Sequence, residues 1–282
     1  MISNSSDRTR PSRALPAKYG LRIVALGYLL LLLGIPVALV FANAFQDGIG
    51  AAWDAVTTPE AQHAFYLTFV MVIVAVPLNT VFGVLCALAI VRQRFRGRAL
   101  LNALVDLPFA VSPVVVGLAL ILVYGRRDGW VGQWFADQGI QIIFSTPGMI
   151  LATMFVSLPF VVREVIPVLR EIGTEQEQAA ATLGAGGLQT FFRVTLPAIR
   201  WGVAYGVVLT TARALGEFGA VSIVSGKLSG QTETAPLFVE NRFQRFDETG
   251  AYAASVVLAL LALVSLLALN VIKPKEAKEA KA

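Results

Sequence analysis

One cysteine, Cys86, and one histidine, His63, are all that this 282-residue chain offers of the residues that staple small folds and ligate most metals. A lone cysteine excludes an internal disulfide and a cysteine-based metal framework. Lying inside an apolar run, Cys86 reads as a small buried hydrophobe. No cluster of acids or nucleophiles accompanies His63, which argues against a membrane enzyme. The sequence also lacks a G-x-x-x-x-G-K-[ST] phosphate loop, the usual cradle for a nucleotide. Charge is scarce: only 15% of residues are Asp, Glu, Lys or Arg, against about 25% in soluble domains.

Apolar residues fill the gap. They make up 56% of the chain, and the mean hydropathy is +0.69. A soluble protein of this composition has too little polar surface to cover itself, so the chain belongs in a membrane. Its net charge of +5 does not point to nucleic acid. The basic residues sit in short segments between apolar runs and form no continuous basic face.

A spanning helix needs about 20 mostly apolar residues. Six segments qualify: 22–45, 65–91, 100–125, 148–170, 202–225 and 250–272. Strands of a membrane barrel would alternate polar and apolar residues, and these runs do not. The expected fold is therefore an all-α polytopic membrane protein of six transmembrane helices, with a basic arm at 1–21 and a tail at 273–282. The first run could also be read as a signal peptide, because Ala42-Asn43-Ala44 resembles a cleavage site. Its apolar stretch is longer than the roughly 7–15 residues of a signal core, which favours an uncleaved span.

Lys and Arg set the orientation. Arg8, Arg10, Arg13, Lys18 and Arg22 precede or open the first span, and Arg92, Arg94, Arg96 and Arg98 lie between the second and third. Arg163, Arg170, Arg193 and Arg200 belong to the connection between the fourth and fifth, and Lys273, Lys275, Lys278 and Lys281 to the tail. The opposite loops carry only Arg126, Arg127, Lys227, Arg242 and Arg245. The positive-inside rule then puts both termini in the cytoplasm, as an even number of spans requires. Trp130 and Trp134 in the loop 126–147 read as interfacial anchors.

Two features disturb the simple bundle. Leu107-Pro108 and Ser112-Pro113 fall at the start of the third span, where proline removes a donor and crowds the preceding turn. Either the helix breaks there against protein or a water-filled cavity, or it only kinks against its neighbours. No other span shows such a proline break, which speaks against the paired broken helices of an ion-coupled transporter. The fifth span carries Arg213 and Glu217, four residues apart on one expected helix face. They form a structural ion pair or line an anion path, and Gly216, Gly219 and the nearby alanines permit close helix approach.

The connection 171–200 is neither lipid-soluble nor disordered in composition. Thr174-Glu175-Gln176-Glu177 is a capping box, in which Thr174 bonds the N3 amide and Glu177 reaches back. A short helix should run from there and stop at Gly184, in the left-handed conformation. A second, from about Leu188 to Leu196, should end ahead of Pro197. The segment either docks on another protein or packs only on itself.

Its residues carry a resemblance. Gln178-Ala179-Ala180, Gly184, Val194, Leu196 and Pro197 keep every spacing of the "EAA" loop of ABC importer permeases: Glu-Ala-Ala, three residues, Gly, nine residues, Ile, one residue, Leu-Pro. Gln178 and Val194 depart from the motif's Glu and Ile, with Glu177 or Glu175 placed to stand in for the missing acid. In that family the loop is the coupling helix that seats in an ATPase subunit. The segment 212–220 (Ala-Arg-Ala-Leu-Gly-Glu-Phe-Gly-Ala) is similar to the fifth-span signature of sulfate/thiosulfate and molybdate permeases. The segment 106–115, with Ser112 and Pro113, and Val221-Ser222-Ile223-Val224-Ser225-Gly226 resemble the sulfate group, its W-type members in particular. The resemblance spans 64–272. It implies a type I permease domain in the bacterial inner membrane, with no catalytic residue and no metal of its own. It further implies a homologous T-type permease partner, two ATPase subunits that bind ATP and Mg, and an extracytoplasmic sulfate-binding protein. A molybdate or tungstate permease is the nearest alternative.

Overall fold

Unbroken apolar runs in lipid must pair their backbone groups within the segment, and helices do so. The computed structural model of the chain describes residues 14–272, and no strand occurs among them. The arm up to Arg13 and the tail lysines lie outside the described residues. In chain order, α1 (Ala14–Leu29) passes through a π turn at Leu30–Gly34 into α2 (Ile35–Ala44). Then follow α3 (Ile49–Val56), α4 (Pro59–Arg92), α5 (Arg98–Ala110), α6 (Pro113–Tyr124), α7 (Gly132–Asp137), α8 (Thr146–Glu171), α9 (Glu175–Thr182) and α10 (Gly187–Thr190). A second π turn at Phe191–Thr195 leads into α11 (Leu196–Leu215), and α12 (Gly219–Val224), α13 (Ala235–Gln244) and α14 (Glu248–Ile272) complete the order.

Four stretches among the described residues are long and apolar enough to cross a membrane: Gly20–Ala44, Pro59–Arg92, Thr146–Glu171 and Glu248–Ala268. The pair α5 and α6, bent by 116°, makes a fifth if it counts as one span. The one expected span missing from these is the fifth, 202–225, which corresponds to α11, whose 20 residues include Arg200 and Arg213.

The third span, expected as 100–125, is not one helix. Pro108 is absorbed inside α5, and the chain breaks at Val111 and Ser112, both extended. Pro113 forces this, because it disfavours helical backbone at the preceding residue yet is well suited to open a helix itself. The fifth span, expected as 202–225, is broken too. α11 ends at Leu215, and α12 begins only at Gly219. The expectation that only one span is broken is thus overturned, and the second break uses glycine and a capping carboxylate where the first uses proline.

The core is built around α8. Its Val161, Val162, Val165 and Ile166 are buried with Val84, Ala87 and Ile90 of α4 and Ile199 of α11. A Cβ on Gly83 would fall 2.7 Å from Val161 Cβ, and one on Gly206 2.9 Å from Val161 Cα, so glycine lets three helices close on one valine. Asn79, buried in α4, donates to Met154 O at 3.0 Å and to Ser157 Oγ at 2.9 Å, tying α4 to α8 with a satisfied polar contact. A second buried cluster joins Met71 and Leu67 to Met149, Ala152, Val116, Val221 and Val224 near the other end of the bundle. α2 packs on α14, and Asp47 accepts from Thr249 Oγ1 at 2.5 Å.

Candidate functional site

The connection between α8 and α11 is held at its root and bare at its tip. Arg92, the last residue of α4, is the root. Its Nε lies 3.0 Å from Glu177 Oε2, its Nη1 donates to Leu169 O at 3.0 Å, and its Nη2 donates to Gly173 O at 2.5 Å. One planar guanidinium thus joins the ends of α4 and α8 to α9, a geometry its rigid fork suits better than lysine's point charge. Glu177 also accepts from Thr195 Oγ1 at 2.9 Å, which adds the π turn that leads into α11.

This arrangement corrects the capping-box expectation. Thr174 occupies the N-cap of α9 but its side chain caps no backbone amide. It accepts instead from Gln178 Nε2 at 2.9 Å. Glu177 turns inward to Arg92, because an ion pair in a partly buried setting outweighs a bond to one exposed amide. Glu177 is therefore engaged within the chain and is not an outward substitute for the acid that Gln178 replaces.

Gly184 has φ +84°, ending α9 in the left-handed region, and a Cβ there would meet nothing within 4 Å. The second short helix does not end ahead of Pro197. α10, the π turn and α11 run on continuously, with Leu196 N–H donating to Phe191 O. The wider turn removes the conflict, since proline sits in the first turn of α11, where a missing N–H costs least. Gln178, Ala179, Gly184 and Pro197 are exposed, Ala180 and Val194 half-buried, and Leu196 packs on the core around α8. Two large apolar side chains stand almost fully exposed beside them, Leu183 at 88% and Leu188 at 78%. With Phe192, also exposed, they form the tip of the connection.

The second group lies where the two breaks meet. A Cβ on Gly219 would fall 2.8 Å from Pro113 Cβ, and one on Gly117 would fall 2.7 Å from Ile223 Cβ, so α6 and α12 pack backbone to backbone. This places the Ser112-Pro113 break against the break that contains Glu217. Arg213 Nη1 and Glu217 Oε2 are 2.7 Å apart, an ion pair whose approach is not along a hydrogen-bond direction. Glu217 is not on a continuous helix face with Arg213, as the four-residue spacing suggested. It lies beyond the end of α11, where its Oε1 accepts from Ala220 N–H at 2.9 Å and caps α12. Its side chain is 1% exposed, while that of Arg213 is 29% exposed. The carboxylate is therefore structural on one side and paired on the other, and the arginine is the less buried partner.

Sequence reasoning missed Arg92 as a junction, counting it only toward topology. The signal was slight: an arginine closing a long apolar run. Thr195 and the carbonyls of Leu169 and Gly173 carried none.

Comparison with known proteins agrees with this architecture. The family described as "Binding-protein-dependent transport system inner membrane component" matches residues 79–278. The sulfate transport system permease protein CysW of Synechocystis sp. is 55% identical over 243 residues, covering 86% of this chain and 88% of that protein. The CysW protein of Synechococcus elongatus is 53% identical over 235 residues, 83% of this chain and 82% of that one. The CysT protein of the same organism is 43% identical over 233 residues, 83% and 84% of the two chains. In fold, the chain matches a bacterial ABC transporter that imports the acidic polysaccharide alginate, with a TM-score of 0.77 at 19% identity over 91% of this chain and 94% of that one. The same kind of transporter in complex with a pentasaccharide-bound periplasmic protein gives 0.76 at 18% identity, over 93% and 95%.

Proposed function

This chain belongs to the family of binding-protein-dependent transport system inner membrane components, and from that premise we propose that it is the W-type permease subunit of an ATP-driven sulfate importer. The observation that carries this reading is identity of more than half over most of both chains with a sulfate permease of that type. Its T-type relative is a separate protein at lower identity, which supports a heterodimer of two homologous permeases. The periplasmic protein bound to the alginate transporter supports an extracytoplasmic binding protein that delivers the anion. ATP and Mg belong to a pair of partner ATPase subunits, and this chain supplies no residue to their chemistry.

The coupling acts through the α8–α11 connection, which faces the cytoplasm in this reading, with both termini on the same side. Leu183, Leu188 and Phe192 offer apolar area for an ATPase groove, with Gln178, Ala179 and Gly184 beside them. When ATP draws the ATPase pair together, α9 moves with it. Arg92 passes that displacement to the ends of α4 and α8, and the continuous helix from Gly187 passes it to α11. α11 ends at the meeting of the two breaks, where the half-buried Arg213, paired with Glu217, would face any anion path. The first span stays uncleaved, with Ala44 buried at its end.

The test is uptake of radiolabelled sulfate by the complex reconstituted with its partner permease, ATPase and binding protein. ATP-dependent sulfate uptake is expected. Uptake of molybdate without sulfate would overturn the substrate, and uptake independent of ATP would overturn the class.

A further inference from the structure

The segment between α4 and α5, the start of α5 and the second half of α8 border an open cleft of about 480 Å³ lined by Arg96, Arg98, Arg163 and Arg170, with Asn102 among them and no carboxylate. Arg163 is paired with Asp106 of α5. The side chains of Arg96, Arg98 and Arg170 make no hydrogen bond or ion pair among the described residues. Three unneutralised guanidiniums facing one space repel each other, and each carries donors in a fork that fits a phosphate or sulfate group. Arg98 also opens α5, which adds unpaired backbone amides at the same mouth.

We propose that this cleft binds a tetrahedral oxyanion, and that its natural carrier is the headgroup of an anionic phospholipid. The apolar surface beside it argues for the lipid. Leu100, Leu104 and Leu107 of α5 are all exposed and recur at helical spacing, starting two residues after Arg98. An anionic head in the cleft would leave its acyl chains along that stripe. A free oxyanion has no use for the stripe. Basic clusters on this side of a membrane protein, where anionic lipid is concentrated, gain affinity with each arginine. The inference rests on reading the chain as a membrane permease with this face cytoplasmic, and not on which anion it transports.

The complete complex is placed in nanodiscs of phosphatidylcholine with and without phosphatidylglycerol, and retained lipid is counted by native mass spectrometry. Wild type should retain phosphatidylglycerol selectively, and R96Q/R170Q, which leaves Arg163 and Asp106 intact, should retain roughly tenfold less. In phosphatidylcholine alone, sulfate and inorganic phosphate are titrated while thermal stability is read. Stabilisation of wild type but not of the variant, without phosphatidylglycerol selectivity, assigns the site to a free oxyanion and overturns the lipid. No selectivity and no stabilisation in wild type overturns the site. Loss of the ATPase subunits from the variant with lipid retention unchanged overturns it as well, handing the arginines to a protein partner. The wild-type lipid comparison needs no variant, so failure of R96Q/R170Q to assemble leaves the test intact. Sulfate uptake on the same preparations separates this result from the transport reading, since either can fail while the other stands.

Discussion

Replacing Arg92 by alanine removes, in one step, an ion pair to Glu177 and two hydrogen bonds to the carbonyls that close α8. A hydrogen bond to a charged group contributes about 1.5–3 kcal/mol when well formed. Partial exposure discounts each, as the Arg92 and Glu177 side chains are 16% and 22% exposed. Thr195 keeps its bond to Glu177, and Gly173 is only half-buried, although Leu169 is fully buried. The net loss should be about 2–4 kcal/mol. It falls on the placement of α9 rather than on the core, because none of these partners lies in the buried clusters around Val161 except Leu169. The complex should therefore assemble, hydrolyse ATP at a basal rate, and lose at least about tenfold in substrate-stimulated uptake. Arg92→Lys should recover only part, since an ammonium can pair with Glu177 but cannot fork to both carbonyls. Glu177→Ala should show the same split between ATPase and uptake. The double variant should be no worse than Arg92→Ala, a coupling of about 1–3 kcal/mol in a double-mutant cycle. Wild-type uptake in Arg92→Ala, or strictly additive losses in the double variant, would refute the junction.

Gly184→Val forces a β-branched residue to φ +84°, costing about 1–3 kcal/mol of backbone strain. ATPase activity should lose its response to loaded binding protein, whereas Gly184→Asn, which tolerates this conformation, should be milder. Arg213→Ala leaves the Glu217 carboxylate buried without its cation and should cost about 3–5 kcal/mol of stability, read as folded yield, which the double alanine variant should recover only in part because it also loses the bond to Ala220 N–H. If the double variant folds yet transports nothing, Arg213 serves the anion path; additive yield losses would show two charges that do not interact. Reporter fusions after Arg98 and Lys275 should read as cytoplasmic and one after Gln231 as extracytoplasmic, and a cytoplasmic reading at Gln231 would end the six-span topology.

How much of this was legible in the sequence depends on the range of the interaction that decides each feature. The spans are set by local composition, so α4, α8 and α14 lie close to their expected limits. The break at Ser112 was half visible, because the effect of Pro113 on the preceding residue is local, though Pro108, sitting five residues earlier, is absorbed by α5. Gly184 was visible for the same reason. The break after Leu215 was not, since Gly216 occurs in many unbroken helices, and it takes the Glu217 bond to Ala220 N–H to hold the new start. Glu177 was misassigned because a capping box is a local pattern, while its actual partner lies 85 residues away at the end of another helix.

Among the described residues, three of the five ion pairs join helices or helix segments of the spans in a way that no local pattern contains. Arg92–Glu177 joins the end of α4 to α9, Arg163–Asp106 joins α8 to α5 near the first break, and Arg213–Glu217 spans the second break itself. None sits at the centre of an intact, lipid-facing helix, where an unsolvated charge costs most. Arg92–Glu177 and Arg213–Glu217 lie where helix backbone ends and leaves polar groups that need partners anyway, whereas Arg163–Asp106 links the interiors of α8 and α5. A pair in the middle of a rigid helix stabilises one state. A pair across a break or between two helix ends can persist while the helices on either side change their angle, because a side chain swings more cheaply than a helix bends. Two of these three pairs therefore sit at joints between helices, and the buried packing around Val161 is uninterrupted and apolar.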